Sequence, residues 1–216
     1  MSNSASENLA LTGNNSTASV ARTVTIALGA WLVAVFALAA DGAFVGPPGT
    51  PPLAVVGAIV TPLIVFAIAL RASAASRAFV LALDLRLIVA LQAWRWAGLG
   101  FVALYANHVL PGLFAWPAGL GDMAIGAVAP WLVVSLARTP AVARSGGFRL
   151  WNTLGIVDLV VAVSMATICS LRVGVAGSPS MTPMAELPLV LIPTFLVPLF
   201  LMLHIAALLH GRKPQP

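Results

Sequence analysis

The stretch LQAWRWAGLGFVALY, residues 91–105, places one charge, Arg95, inside an apolar run of almost membrane-spanning length. A hydrocarbon core about 30 Å thick accepts a helix of roughly 20 apolar residues. An arginine near the centre of such a helix costs on the order of 2.5–3.5 kcal/mol to insert, so it requires a partner or a water-filled space beside it. The composition agrees with a membrane span here. Charged residues are 8% of the chain, apolar residues 60%, and the mean hydropathy is +1.02, outside the range of soluble globular domains.

Five more runs of similar length lie between charged or Pro/Gly-rich breaks. The predicted spans are residues 23–40, 53–70, 87–105, 118–136, 150–170 and 187–209. These runs are continuous rather than alternating, so helices and not a barrel satisfy the backbone in lipid. The expected architecture is an all-α, polytopic membrane protein with six transmembrane helices. Its transmembrane domain covers residues 23–210, between a polar cytoplasmic tail, 1–22, and a short basic cytoplasmic tail, 211–216. The N-terminal segment SNSASENLALTGNNSTAS has no basic n-region and no adjoining apolar core, and reads as a tail rather than a signal peptide. The stretch AFVLALDLRL, residues 78–87, contains no breaker and predicts an inward, near-surface extension of the third helix through residues 77–86.

Six crossings put both termini on one side. That side then holds Arg22, Arg71, Arg77, Arg86, Arg138, Arg144, Arg149, Arg212 and Lys213, nine of the eleven basic residues, against Arg172 alone on the other. Cytoplasmic loops collect Lys and Arg, so both termini are expected to be cytoplasmic. The formal net charge of +5 is thereby a consequence of topology and does not imply nucleic-acid binding. Ten of the eleven basic residues are Arg and alanine is abundant, which suggests a GC-rich bacterial genome and an inner-membrane location.

Depths along the helices single out a few polar groups. With each predicted span centred on the midplane, Arg95 lies about 1.5 Å, Asp158 about 3 Å, Gln92 about 6 Å and His204 about 9 Å to the cytoplasmic side, and Asp122 about 8 Å outward. The matching levels of Arg95 and Asp158 predict an ion pair between the third and fifth helices. Asp84, Ile88, Gln92 and Arg95 fall on one face at α-helical spacing, as do Trp151, Gly155, Asp158 and Ala162. Gly155 and Ala162 are small enough to admit a neighbouring backbone. Gln92 suits an interhelical hydrogen bond, and His204 a bond to a neighbouring helix.

Asp122 ends the segment LPGLFAWPAGLGD, residues 110–122, read as a loop between the third and fourth spans with Pro117 in the first turn of the next helix. There the carboxylate would face an outer approach or favour a helix N-terminus. Pro188, Pro193 and Pro198 predict bends in the last helix. One cysteine, Cys169, allows no intrachain disulfide or thiol pair. No phosphate-binding, dinucleotide, zinc-protease or paired-cysteine motif occurs, His108 and His204 lie at different levels, and no cofactor is expected.

Two function classes follow from these groups. In the first, a small transporter or permeation unit handles a small solute or ion at a midplane site of Gln92, Arg95 and Asp158, with His204 nearby and Asp122 on the approach; an anion bound by Arg95 or a protonatable Asp158 would be its working element. In the second, a membrane binding or assembly protein uses the buried ion pair only to order its bundle. An enzyme ranks third, because no nucleophile with its base can be assembled. The surrounding partner is the lipid bilayer, and the many Ala and Gly residues permit a homo-oligomer.

Overall fold

The structure, a computed structural model, describes residues 2–172 and 179–211. The elements are α1 (Ser2–Ala40), α2 (Leu53–Ala72), α3 (Ala74–Ala82), α4 (Leu85–Leu91), a 3₁₀ segment (Gln92–Gly98), α5 (Leu99–Ala106), α6 (Gly112–Arg138), α7 (Gly146–Leu171), a π-type turn (Ile192–Leu196) and α8 (Val197–His210). There is no β-strand among the described residues. Six stretches are long and apolar enough to cross a membrane: Ser19–Ala40, Leu53–Ala72, Leu85–Ala106, Gly112–Arg138, Gly146–Leu171 and Ile192–His210. The protein is thus a multi-pass, all-helical membrane protein. The expected basic tail with Arg212 and Lys213 lies outside the described residues.

Three sequence expectations need correction. The third span does not extend inward as one helix through residues 77–86. The chain leaves α3 at Leu83, and Asp84 caps a new helix by accepting a hydrogen bond from the Arg86 amide (2.8 Å). Asp84 also pairs with the Arg86 guanidinium, whose hydrogen bond holds its carboxyl below the ordinary carboxylate range, so it is a cap and not part of a buried stripe. Second, residues 112–121 are the opening turns of α6 rather than a loop, because Pro111 sets the entry to a helix whose glycines are tolerated between membrane helices. Pro117 accordingly lies inside that helix. Third, the last crossing begins at Ile192, not at residue 187, because Pro188 and Pro193 withhold the amide donors that a regular helix needs. The π-type turn follows, and Thr194 Oγ1 donates to the Val190 carbonyl (2.6 Å).

The third span is α-helical at both ends but 3₁₀ at its centre, where residues three apart eclipse. Gln92, Arg95 and Gly98 consequently form a single buried column, while Trp94 (74% exposed) and Trp96 (51%) project outward. An ideal α-helix would splay this column around the axis.

Lipid tails are as apolar as leucine, so helices associate in the membrane through close packing rather than through the hydrophobic effect. A close contact of backbone on backbone runs between α6 and the third span. A methyl group on Gly98 would meet the Gly119 carbonyl at 2.9 Å, one on Gly119 would meet the Gly98 carbonyl at 2.9 Å, and one on Gly126 would meet the Trp96 amide nitrogen at 2.6 Å. The last helix is the most enclosed of the six, and α1 and α2 are the least.

Two apolar layers stack along the bundle. One, towards the Arg-rich loops, contains Val89, Ile125, Leu132, Phe148 and Trp151; the other, towards the opposite end, contains Phe101, Leu110, Phe114, Ala118 and Met184. Gly126→Ala should lower stability by about 1–3 kcal/mol, since the obstructing atoms are backbone and cannot turn aside. Gly57→Ala on α2, with nothing within 4 Å of the added methyl, should cost nothing. Unfolding of both variants in mixed detergent micelles checks the contrast.

Candidate functional site

Between the two apolar layers lies a sheet of polar side chains drawn from four spans. Arg95 comes from the 3₁₀ segment, Asp122 from α6, Asn152 and Asp158 from α7, and His204 from α8. Arg95 and Asp158 sit at the midpoints of their spans, and Asp122 and His204 within one helical turn of theirs. The expected 9 Å and 8 Å offsets arose from helix ends placed too late in α6 and too early in α8; with the observed ends each offset falls to about 4.5 Å, within reach of the long Arg95 side chain.

Arg95 is the hub of this layer. Its Nε donates to Asp122 Oδ1 at 2.7 Å, and its Nη2 donates to Asp158 Oδ2. Nη1 donates to the Gly155 carbonyl at 3.2 Å and lies 3.0 Å from His204 Nε2. Guanidinium has donors only, so His204 Nε2 must accept. On the far side of the ring, His204 Nδ1 is 3.0 Å from Asn152 Oδ1, while Asn152 Nδ2 donates to the Phe148 carbonyl at 2.9 Å. Asn152 Oδ1 is therefore the acceptor and His204 carries its proton on Nδ1. A neutral histidine held in one tautomer links the charged group to α7 without adding a charge.

The expected pairing of Arg95 with Asp158 is present, and so is the expected bond from His204 to another helix. Asp122, expected on the outer approach, instead touches Arg95, and His204, a candidate for lining the midplane site, touches it as well. Gln92, also fully buried, makes an interhelical bond through Nε2 to the Phe200 carbonyl at 3.4 Å, one 3₁₀ turn from the arginine, and its Oε1 has no hydrogen-bond partner among the described residues. Gly155 does not admit a backbone as expected. It admits the His204 ring, which a methyl group there would strike, and Gly121 makes the same room for the Asp158 carboxylate. Asn152 escaped the sequence reading as a site residue, although its amide lies on the Gly155 and Asp158 helix within two turns of the charge.

The electrostatics of the layer are unbalanced. One guanidinium faces two carboxylates, and the histidine is neutral by its hydrogen bonds. The Arg95 side chain has no exposed surface, whereas Asp122 and Asp158 keep 15% and 13%. In this arrangement the cavity meets the Asp122 carboxylate and not the guanidinium, which is enclosed behind it. Towards the Arg-rich end the layer is sealed: the Trp151 ring packs edge-on against His204 at 5.3 Å, and its Nε1 donates to the Ile125 carbonyl at 3.2 Å. On the other side Asp122 borders a cavity of about 80 Å³. That cavity shares Pro52, Ser170, Met181 and Ala185 with a wider vestibule among residues 44–52, 169–172 and 179–185, which also includes Arg172.

Arg95→Leu strands two carboxylates in a low-dielectric layer and should cost about 3–5 kcal/mol of stability. Adding Asp122→Asn and Asp158→Asn to it should recover part of that loss. Detergent unfolding of the single, double and triple variants measures the coupling, and strictly additive losses would show that the three groups act independently.

No curated protein and no solved structure matches the chain. A family model does match, over residues 51–210, a segment that begins after α1 and includes every residue of the polar layer. Covering most of the sequence, this match shows that the chain belongs to the family described as Domain of unknown function (DUF8737).

Proposed function

We propose that the protein is a small transporter or permeation unit whose working groups are Asp122 and Asp158, held at mid-membrane by Arg95. The observation that supports this most is the position of Asp122: a carboxylate at the level of a buried arginine that also lines a cavity continuous with one end of the bundle. Ionisable groups at such depth are costly and are used in nature chiefly along ion and proton paths. The seal of Trp151 and Phe148 on the opposite side gives the arrangement the form of an occluded path open from one face.

A second reading has its own support. Every nitrogen of Arg95 has an acceptor on another span, as in a polar centre that fixes helix register. In that case the protein serves as a binding or assembly element. The flux measurement separates the two. Purified protein reconstituted in liposomes should dissipate an imposed pH gradient faster than empty liposomes do, and Asp122→Asn should remove at least nine-tenths of that rate while Asp41→Asn leaves it intact. Rates equal to those of empty liposomes would favour the structural reading.

The membrane placement is the cytoplasmic (inner) membrane of a bacterium, with both ends of the chain and the Arg-rich loops in the cytoplasm. The distribution of basic residues supports this. In a Cys169→Ala background, Thr50→Cys should react with an impermeant maleimide on intact cells and Ala141→Cys only after lysis; the opposite pattern would invert the topology.

A further inference from the structure

We infer that the cavity bordered by Asp122 receives a small organic monocation with an apolar body, a protonated amine or quaternary ammonium, and not an anion or a metal ion. This inference rests on the reading of Asp122 and Asp158 as solute-handling groups.

The sign of the ligand follows from which charge the cavity presents. Among the described residues Asp122 is the only ionisable one in the lining, and the guanidinium that partly neutralises it is wholly enclosed behind it. Only one oxygen of each carboxylate is taken by Arg95: Oδ1 of Asp122 and Oδ2 of Asp158. With both carboxylates ionised the layer carries one positive and two negative charges, an excess of one carboxylate charge in a medium where an uncompensated ion is costly. A monocation resting against the free Asp122 oxygen supplies the missing charge.

The body of the ligand follows from the rest of the wall. Phe101, Phe114, Leu159, Met181, Met184 and Val197 make it almost entirely apolar. Phe101 and Phe114 pack edge-on with centroids 5.2 Å apart, and such rings favour a weakly hydrated cation over their faces. Hard metal ions require about six oxygen ligands. The cavity offers one carboxylate and the Ser170 hydroxyl, and Ser170 Oγ already donates to the Ala166 carbonyl at 2.9 Å. Among the described residues no group of three or more His, Cys, Asp or Glu could hold a metal. A ligand whose own carbon surface replaces its hydration shell fits this wall, and a hydrated alkali or divalent ion does not.

The test uses the full chain in lipid nanodiscs with two probes of fixed charge and similar size, small enough for the cavity, tetramethylammonium and methanesulfonate. Equilibrium binding of the cation should be saturable with one site per chain, and the anion should bind at least tenfold more weakly or not at all. Asp122→Asn should weaken the cation at least tenfold. Ala166→Leu, which fills the cavity wall without touching Arg95, should do the same and keeps the test open should the Asp122 variant fail to fold. Absence of saturation in the wild-type protein, equal binding of the two ions, or unchanged binding in a folded variant overturns the inference. Gradient dissipation in parallel liposomes keeps this outcome apart from the proposed function: proton flux without cation binding removes only the ligand class, while cation binding without flux removes transport and leaves the ligand class standing.

Discussion

A guanidinium in the middle of a bilayer persists only if its N–H groups are paired, because the surrounding hydrocarbon has no acceptors to offer. Arg95 draws those acceptors from three other segments: a carboxylate from α6, a carboxylate and a backbone carbonyl from α7, and an imidazole nitrogen from α8. The four spans that form the centre of the protein are thus joined at one side chain. The glycines at 121 and 155 exist in the packing as space, for the Asp158 carboxylate and the His204 ring. The 3₁₀ turn around Arg95 serves the same end, since it stacks Gln92, Arg95 and Gly98 on the single face that α6 approaches.

Much of this was legible in the sequence, and what was not has identifiable causes. The six spans could be read because hydrocarbon sets one length and the chain obeys it. The Arg95 and Asp158 pair could be read because two unlike charges at equal depth have few alternatives to meeting. Asp122 was misplaced because glycine and proline usually signal a loop in water, whereas between membrane helices glycine permits the closest contacts, here to Gly98 and Trp96. His204 was misplaced by a similar route: counting from residue 187 added a stretch that Pro188 and Pro193 keep out of the helix. A depth estimate is only as good as the helix ends behind it. The 3₁₀ segment had no local signal at all, since QAWRWAG contains nothing that disfavours an α-helix, and it is set by tertiary packing.

The stacking of layers also bears on motion. The polar layer is covered by Phe148, Trp151 and their neighbours towards the Arg-rich end and reaches a cavity at the other. Any exchange of access between the two ends has to separate α8 from α7 near Trp151 and His204, or shift the third span against α6. The second route is obstructed by backbone contacts at Gly98, Gly119 and Gly126, which leave little freedom to slide. The first is built differently. The α8 side carries a π-type turn with prolines at 193 and 198, where the backbone hydrogen bonding departs from that of a regular helix.

The charge count separates an ordering role from a working one more sharply than position does. A polar lock between helices needs one carboxylate for one guanidinium, and the neutral His204 and Asn152 already extend that lock to α8 without charge. The second carboxylate raises the charge of the layer by one unit in a low-dielectric setting, and an asparagine at 122 would fill the same space and accept the same hydrogen bond from Arg95 Nε. The packing of the bundle gives no reason for the extra charge. Its exposure to the cavity gives one: a group that is costly when empty and compensated when a cation or proton arrives stores its own affinity for that visitor. On the proposed reading, the imbalance at Asp122 is a binding determinant rather than a structural one.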